Sequence, residues 1–382
     1  MTRTTGHLHL GVSLDGAGSH PAAWQEPDSD AGHLFDASRI VDLALIAERG
    51  TLDFVTLDDS FALQSPGTDR VRGRLDALLA LARVAPLTNG IGLVPTVTTT
   101  HTEPFHISKN VATLDLVSAG RGGWRAQVSS TEVEATHFGR KPVATDSDLH
   151  AEAAEVIEVV RRLWDSWDDD AVIRDQATGR YIDRDRLHYV DFVGRFFKVR
   201  GPSITPRSPQ AQPLVAIDAD SDASIAVASS LADIAVIQAL DAESARARRL
   251  ELRRRAGDAG RDEDALFVLG TVDALFADGT ASAAAQRARL DAIDTEPPAR
   301  STLDFVGTAS DFAMLAEDWF RSGAVDGFIV RPARLPRDLL HLVDGVVPVL
   351  RERGVFRSFY GGNTLRDHFG LVRPANRFAA AR

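Results

Sequence analysis

Two adjacent carboxylates, Asp58 and Asp59, follow the short apolar run FVTL, and the hydroxyls of Thr98, Thr99 and Thr100, with His101 after them, follow the run GLVPTV. A carboxylate pair at a strand end can serve as acid, base or ligand-binding group, or it can cap the next helix. Three hydroxyls can dock a phosphate or a heterocycle, although threonine also favours strand ends by propensity alone. His101 titrates near neutrality in the same loop, which makes it the best-placed residue for proton transfer or substrate contact; an exposed loop histidine is the plainer alternative. Arg125, just past Gly122 and Gly123, carries a permanent charge that could hold a phosphate or carboxylate, or could pair with Glu132 or Glu134. Trp24, Phe61, Trp124 and Phe138 could wall a flat ring, though large aromatics are core residues first. His7 and His9 share one side of a strand, but no acidic or histidine cluster matches them as metal ligands, so no metal site is expected.

Missing features narrow the chemistry further. There is no phosphate-cradling GxxxxGK, no GxGxxG after the first strand and no GxSxG elbow, which argues against an NTPase, a Rossmann dehydrogenase or a serine hydrolase. With 382 residues and no cysteine, the chain has no disulfide, thiolate nucleophile or sulfur-ligated metal. A balance of 43 Lys+Arg against 54 Asp+Glu, net −11, argues against binding to a nucleic-acid backbone. Hydrophobic residues make up 44%, enough for a large core, and no run approaches the roughly 18 apolar residues of a membrane span. The opening MTRTTGHLHLGVSLDG lacks the basic region and apolar stretch of an export signal, so a cytoplasmic protein is expected.

For the polar groups to meet, the strands that carry them must be parallel and end at one face. Residues 89–130 read as a β-α-β unit with that property. Residues 91–97 suit a strand buried on both faces. Pro104 suits a first helical turn, and Phe105, Ile107, Val111, Leu114 and Val117 recur at helical spacing. Gly120, Gly122 and Gly123 end that helix and open the next strand. The same rhythm predicts strands at 7–14, 52–57, 213–218, 234–238, 265–271 and 327–330. Helices are predicted over Ala37–Arg49, 72–84, 146–167, 223–231, 242–256, 281–293, 311–321 and 336–351. Residues 168–212, charged and irregular with a strand pair near 189–199, read as an insertion. Eight strands alternating with helices predict an α/β fold, a (β/α)8 TIM barrel in one domain over residues 1–382, with ligands at the carboxyl ends of its strands.

Five separated blocks carry a resemblance: AERGTLDFVTLDD at 47–59, EPFHISKNVATLDLVSAGRGGW at 103–124, LWDSW at 163–167, FFKVRGP with SPQAQP across 196–213, and RERGVFRSFYGGNTLRDHFGL at 351–371. Together they resemble the bacterial-luciferase-like flavin monooxygenases, in the branch of the nitrilotriacetate, dibenzothiophene-sulfone and pristinamycin-type enzymes. The resemblance implies reduced FMN supplied by a partner flavin reductase, O2 as oxidant, a small organic substrate, and a homodimer or homotetramer. It places Asp59 as the strand-end acid beside the flavin, Thr98 and Thr99 as the strand-end hydroxyl pair, and Ser221 as a phosphate-contacting serine. Other positions differ from the family pattern: Arg125 replaces an asparagine, Val128 a hydroxyl residue, His150 a tyrosine, and Ser224 a helix-start glycine. The usual Gln-Ala-Gly reads Ile217-Asp218-Ala219. Asp218, Asp220 and Asp222 set negative charge beside a phosphate, with Arg125 the base that could offset it. Two alternatives stay open: a deazaflavin in the same barrel, and a flavin-free paralogue acting as a binding or partner subunit.

Overall fold

The computed structural model describes residues 6–64, 70–294 and 301–378. Its central strands are β1 His9–Ser13, β2 Phe54–Leu57, β3 Gly92–Thr98, β4 Gly123–Gln127, β5 Leu214–Asp218, β6 Ile234–Ile237, β7 Phe267–Phe276 and β8 Gly327–Pro332. Each pairs in parallel with the next, and β8 returns to β1 through His9↔Gly327 and Leu10↔Phe328. The ring is therefore closed, and the expected (β/α)8 barrel is the fold.

Strand alternation divides the apolar residues between two cores. Inward-facing Phe54, Val94, Leu214, Val236, Leu269 and Ile329 pack together with Leu365 and Phe369. The alternate positions, among them Val12, Val55, Leu93, Trp124 and Val330, pack outward against the helices. The Ala37–Arg49 helix presents Ile40, Leu43, Ala44 and Ala47 to that outer core, as its periodicity predicts. Close strand approach needs glycine at Gly327, where a Cβ would collide with the His9 carbonyl.

The block at 351–371 turns out to be the floor of the barrel. Leu365 and Phe369 enter the ring from below, and Phe369 stacks on the His9 ring with centroids 4.3 Å apart. Arg366 fastens this plug: its amide donates to Gln210 at 2.9 Å and its Nη1 to the Gln212 carbonyl at 3.0 Å. The Tyr360 hydroxyl donates to the Leu52 carbonyl at 3.0 Å. His9 itself bonds Asp53 at 2.8 Å, and Arg357 bonds the same carboxylate at 2.9 Å. Burial would raise Asp53, but Arg357 and His9 hold it below the usual carboxylate range.

Several elements differ from expectation. The β7 strand runs to Phe276; its first half closes the ring with β6, while its second half pairs with an additional strand, Leu303–Gly307. The second helix begins at Ala77, because Asp76 caps it by accepting from the Leu79 amide at 2.8 Å. The long helix ends at Trp164. A short helix, Glu132–Phe138, forms where none was expected, started by a capping box between Thr131 and Glu134. The 168–212 stretch holds two small hairpins, Val172–Asp175 with Arg180–Ile182 and Phe192–Val193 with Lys198–Val199. Among the described residues no helix is long and apolar enough to cross a membrane.

Candidate active site

Two residues beyond the inner apolar layer, the same strand faces turn polar. Thr56, Thr96, Arg125, Asp218, Asp273 and Arg331 lie on the inward side of β2, β3, β4, β5, β7 and β8, at or near their carboxyl ends. The charges are paired between neighbouring strands. Arg125 makes a two-pronged contact with Asp218, Nε to Oδ1 at 2.8 Å and Nη2 to Oδ2 at 2.7 Å, and its Nη1 reaches Asp58 at 3.0 Å. On the far side Arg331 grips Asp273 the same way, at 2.8 and 2.6 Å. Such bidentate, charge-assisted bonds are the strong ones and fix both partners in angle as well as distance. Burial opposes the Arg125 charge, but Asp218 and Asp58 outweigh it and hold the guanidinium above its ordinary value. The expected partners Glu132 and Glu134 are not involved: Glu134 closes its own capping box.

Asp15, at the end of β1, joins this group. It accepts from the Asp58 amide at 2.8 Å and from the Ser13 hydroxyl through a short hydrogen bond. Burial, then the neighbouring Asp58 charge, pushes its carboxyl up to about 7. A carboxyl that titrates at neutral pH beside the mouth was not anticipated; its only sequence signal was its place after the first strand. Asp15 and Asp58 line a cavity of about 170 Å3, with Arg39 and Arg74 on its other walls.

The other predicted residues fall into three places. Asp58, rather than Asp59, turns toward the axis; Asp59 accepts from the Ala77 amide at 3.0 Å at the start of the second helix, and burial raises its pKa. Thr98 and Thr99 are both buried at the end of β3, with Thr99 donating to the Gln127 carbonyl at 2.9 Å. His101, in a left-handed backbone conformation (φ 68°), stacks on Phe138 at 4.7 Å, and Phe138 meets Phe61 edge-on at 4.7 Å. Burial, then Lys141, lowers the His101 pKa, and its Nδ1 has no hydrogen-bond partner. This aromatic shelf gathers three of the predicted groups. Trp124 does not belong to it: it is fully buried in the outer core.

His150 and Ser221 line a separate cavity of about 210 Å3 with Gln127, Asp146, Asp218 and Ser224. The Ser221 hydroxyl donates to Asp146 Oδ2 at 2.8 Å, and His150 Nδ1 lies 3.1 Å from Asp146 Oδ1. The Ser224 hydroxyl accepts from the amides of Asp220 and Ser221 at 3.0 and 2.9 Å. The flavin that the resemblance implies would meet two unlike ends. Buried Thr56 Oγ1, Thr96 Oγ1 and Ser129 Oγ have no partner and could bond a polar heterocycle. The other end fits a phosphate poorly in this arrangement, because the Ser221 and Ser224 hydroxyls and the Asp220 and Ser221 amides are bonded within the chain and three carboxylates line the cavity.

A closed parallel barrel with polar groups gathered at its carboxyl-end mouth defines a small-molecule enzyme of the α/β-barrel class. Comparison with known proteins gives the family. The model for luciferase-like monooxygenases matches residues 16–321, and this chain belongs to that family. It is 32% identical over 440 residues to the N-acetyl-S-(2-succino)cysteine monooxygenase of Bacillus subtilis (strain 168), covering 99% of this chain and 100% of that protein. It is 30% identical over 444 residues to nitrilotriacetate monooxygenase component A of Aminobacter aminovorans, covering 97% and 98%. Among solved structures, the EDTA monooxygenase from Chelativorans sp. BNC1 superposes with a TM-score of 0.86 at 25% identity, covering 96% of this chain and 99% of that one. The family assignment makes the chain an oxidoreductase that uses a flavin.

Proposed function

We propose that the chain is the oxygenating component of a two-component flavin-dependent monooxygenase. A separate reductase delivers the reduced flavin, expected as FMN from the family, and O2 supplies the oxygen atom placed on a small organic substrate. The observation that carries this reading is likeness to monooxygenases along essentially the whole chain, at 32% and 30% identity. The deazaflavin and flavin-free alternatives are not favoured, since those relatives are monooxygenases.

The flavin, when bound, supplies the two electrons that O2 activation requires. The chain's part is to hold and enclose it. Thr98, Thr96 and Thr56 face the ring end with hydroxyls, and the shelf of Phe61, Phe138 and His101 keeps water from one side. Because its pKa is lowered, His101 is neutral at pH 7 and available to accept a proton. Asp59, Thr99, Arg125, His150 and Ser221 act on position rather than chemistry, through the bonds described above. A homodimer or homotetramer in the cytoplasm belongs to the same proposal.

The test is to supply the purified protein with a flavin reductase, NADH and 18O-labelled O2, together with a panel of thioethers and aminopolycarboxylates. The expected result is one labelled oxygen atom in an organic product, formed only when the chain is present. Absence of labelled product across the panel, together with no binding of reduced or oxidised flavin, would remove the reading.

A further inference from the structure

We infer that this chain takes its flavin without recognising a 5′-phosphate, so that riboflavin binds at least as tightly as FMN. The inference rests on the flavin reading above and concerns only the ribityl-phosphate end of the site.

The hydroxyls of Ser221 and Ser224, His150 Nδ1 and the amides of Asp220 and Ser221, all candidates to receive a phosphate, already have internal partners. Asp146, the first residue of its helix, accepts from the Ser221 hydroxyl at 2.8 Å and lies 3.1 Å from His150 Nδ1. His150 Nδ1 is also 2.9 Å from the Asp146 carbonyl. The Asp146 carboxylate thus occupies the place a ligand's anion would take. The backbone amides of Asp220 and Ser221, which a glycine at position 224 would leave open, donate instead to the Ser224 hydroxyl. Ser221 and Ser224 close a capping box at the start of the Asp222–Leu231 helix, so the Ser221 and Ser224 amides are also occupied.

The surrounding charge points the same way. Asp218 and Asp220 line the cavity with Asp146, and burial, then Asp218, raises the Asp220 pKa. A phosphate entering there would meet three carboxylates. The cation nearest the acids is committed elsewhere: Arg125 is forked onto Asp218 and tied to Asp58. Arg255, 3.8 Å from Asp222, bonds Glu251 at 2.7 Å. A dianion would have to expel Asp146, open the capping box and stand beside acids, whereas the hydroxyls of an uncharged ribityl chain can bond Asp146, Asp218 or Asp220 as acceptors.

The test compares riboflavin and FMN on the full-length protein by fluorescence and absorbance titration, with the flavins both oxidised and anaerobically reduced. The dissociation constant for FMN is expected to equal or exceed that for riboflavin, and millimolar inorganic phosphate is expected not to compete. In Asp146→Ala/Ser224→Gly the ratio of the two dissociation constants should move toward FMN by about tenfold or more. If the unaltered protein binds FMN about tenfold tighter than riboflavin, the inference is overturned and the monooxygenase reading stands. If neither flavin binds, the flavin reading falls and this inference with it.

Discussion

Arg125 and Asp218, both expected from the resemblance to differ from the family pattern, are bonded to each other in the structure. Replacing Arg125 alone by Asn strands two carboxylates. Because the Asp218 and Asp58 side chains are 32% and 44% exposed, we expect a cost of about 1–3 kcal/mol, below that of a fully buried pair. Adding Asp218→Gln should recover part of it, with a coupling of about 0.5–3 kcal/mol in a double-mutant cycle measured by urea unfolding. Additive single effects would show that the contact carries no energy. Asp15 gives a pH signature. Its folded pKa, about 7 against an ordinary 3.8, means the folded state holds a proton that the unfolded chain releases. That stabilisation is complete below about pH 4, is lost as pH rises toward 7, and is flat beyond. Relative to Asp15→Asn, the native protein should lose stability by up to about 1.4 kcal/mol per pH unit in that window; parallel curves would refute the assignment. At this scale the sequence was legible in type and position but not in direction. Asp58 and Asp59 look alike until the alternation from Phe54 and Thr56 turns one of them inward. Glu132 and Glu134 were the alternative to a ligand as partners of Arg125 because they are close along the chain, yet the ion pair it makes is with Asp218, 93 residues away, one of the acids the resemblance had set near it.

Elements were more legible than residues, for a physical reason. The Ala37–Arg49 helix agrees with its pattern end to end, since its apolar stripe and terminal glycine are local signals. The eight barrel strands were legible as apolar runs buried on both faces. What escaped was decided by partners elsewhere. β7 continues past Thr271 because its second half finds partners on both sides, β8 and Leu303–Gly307, so Asp273 and its contact with Arg331 are set by strands far along the chain. The 351–371 block was read as a mark of resemblance, and its role as a floor appears only with Leu365 and Phe369 inside the ring. Leu365→Ala should therefore cost about 2–5 kcal/mol, the range for a large core deletion, read as a lower urea midpoint. A loss below about 0.5 kcal/mol, typical of a surface change, would mean that the plug does not seal the barrel.

For the whole molecule, charge is the guide to substrate. The net charge is −11; around the mouth Asp15, Asp58, Asp218, Asp220 and Asp273 face Arg125 and Arg331, with Arg39 and Arg74 on the wall of the Asp15 cavity, so the charge of the whole chain sets the sign of the field. A field of that sign slows the approach of an anion and does little to a neutral molecule. With any polycarboxylate of the panel that the protein turns over, kcat/KM should rise as salt is raised across about 0.02–0.2 M, where the screening length falls from roughly 20 Å to under about 10 Å. With a neutral thioether it should stay level. A fall with salt for the anion would reveal an attractive patch near the entrance.

The extra strand Leu303–Gly307 carries a cost of its own. It pairs with β7 on one side and ends the sheet on the other, so among the described residues it is the open edge at which this barrel sheet could recruit a stranger's backbone. Its defences are brevity and a charge: it is five residues long, with Asp304 held by Arg287 at 2.6 Å. Short edges bearing charges resist intermolecular β-zippering. Asp304→Val should leave the pocket untouched yet make the protein turn turbid sooner on heating, so resistance to aggregation here is maintained far from any chemistry the enzyme performs.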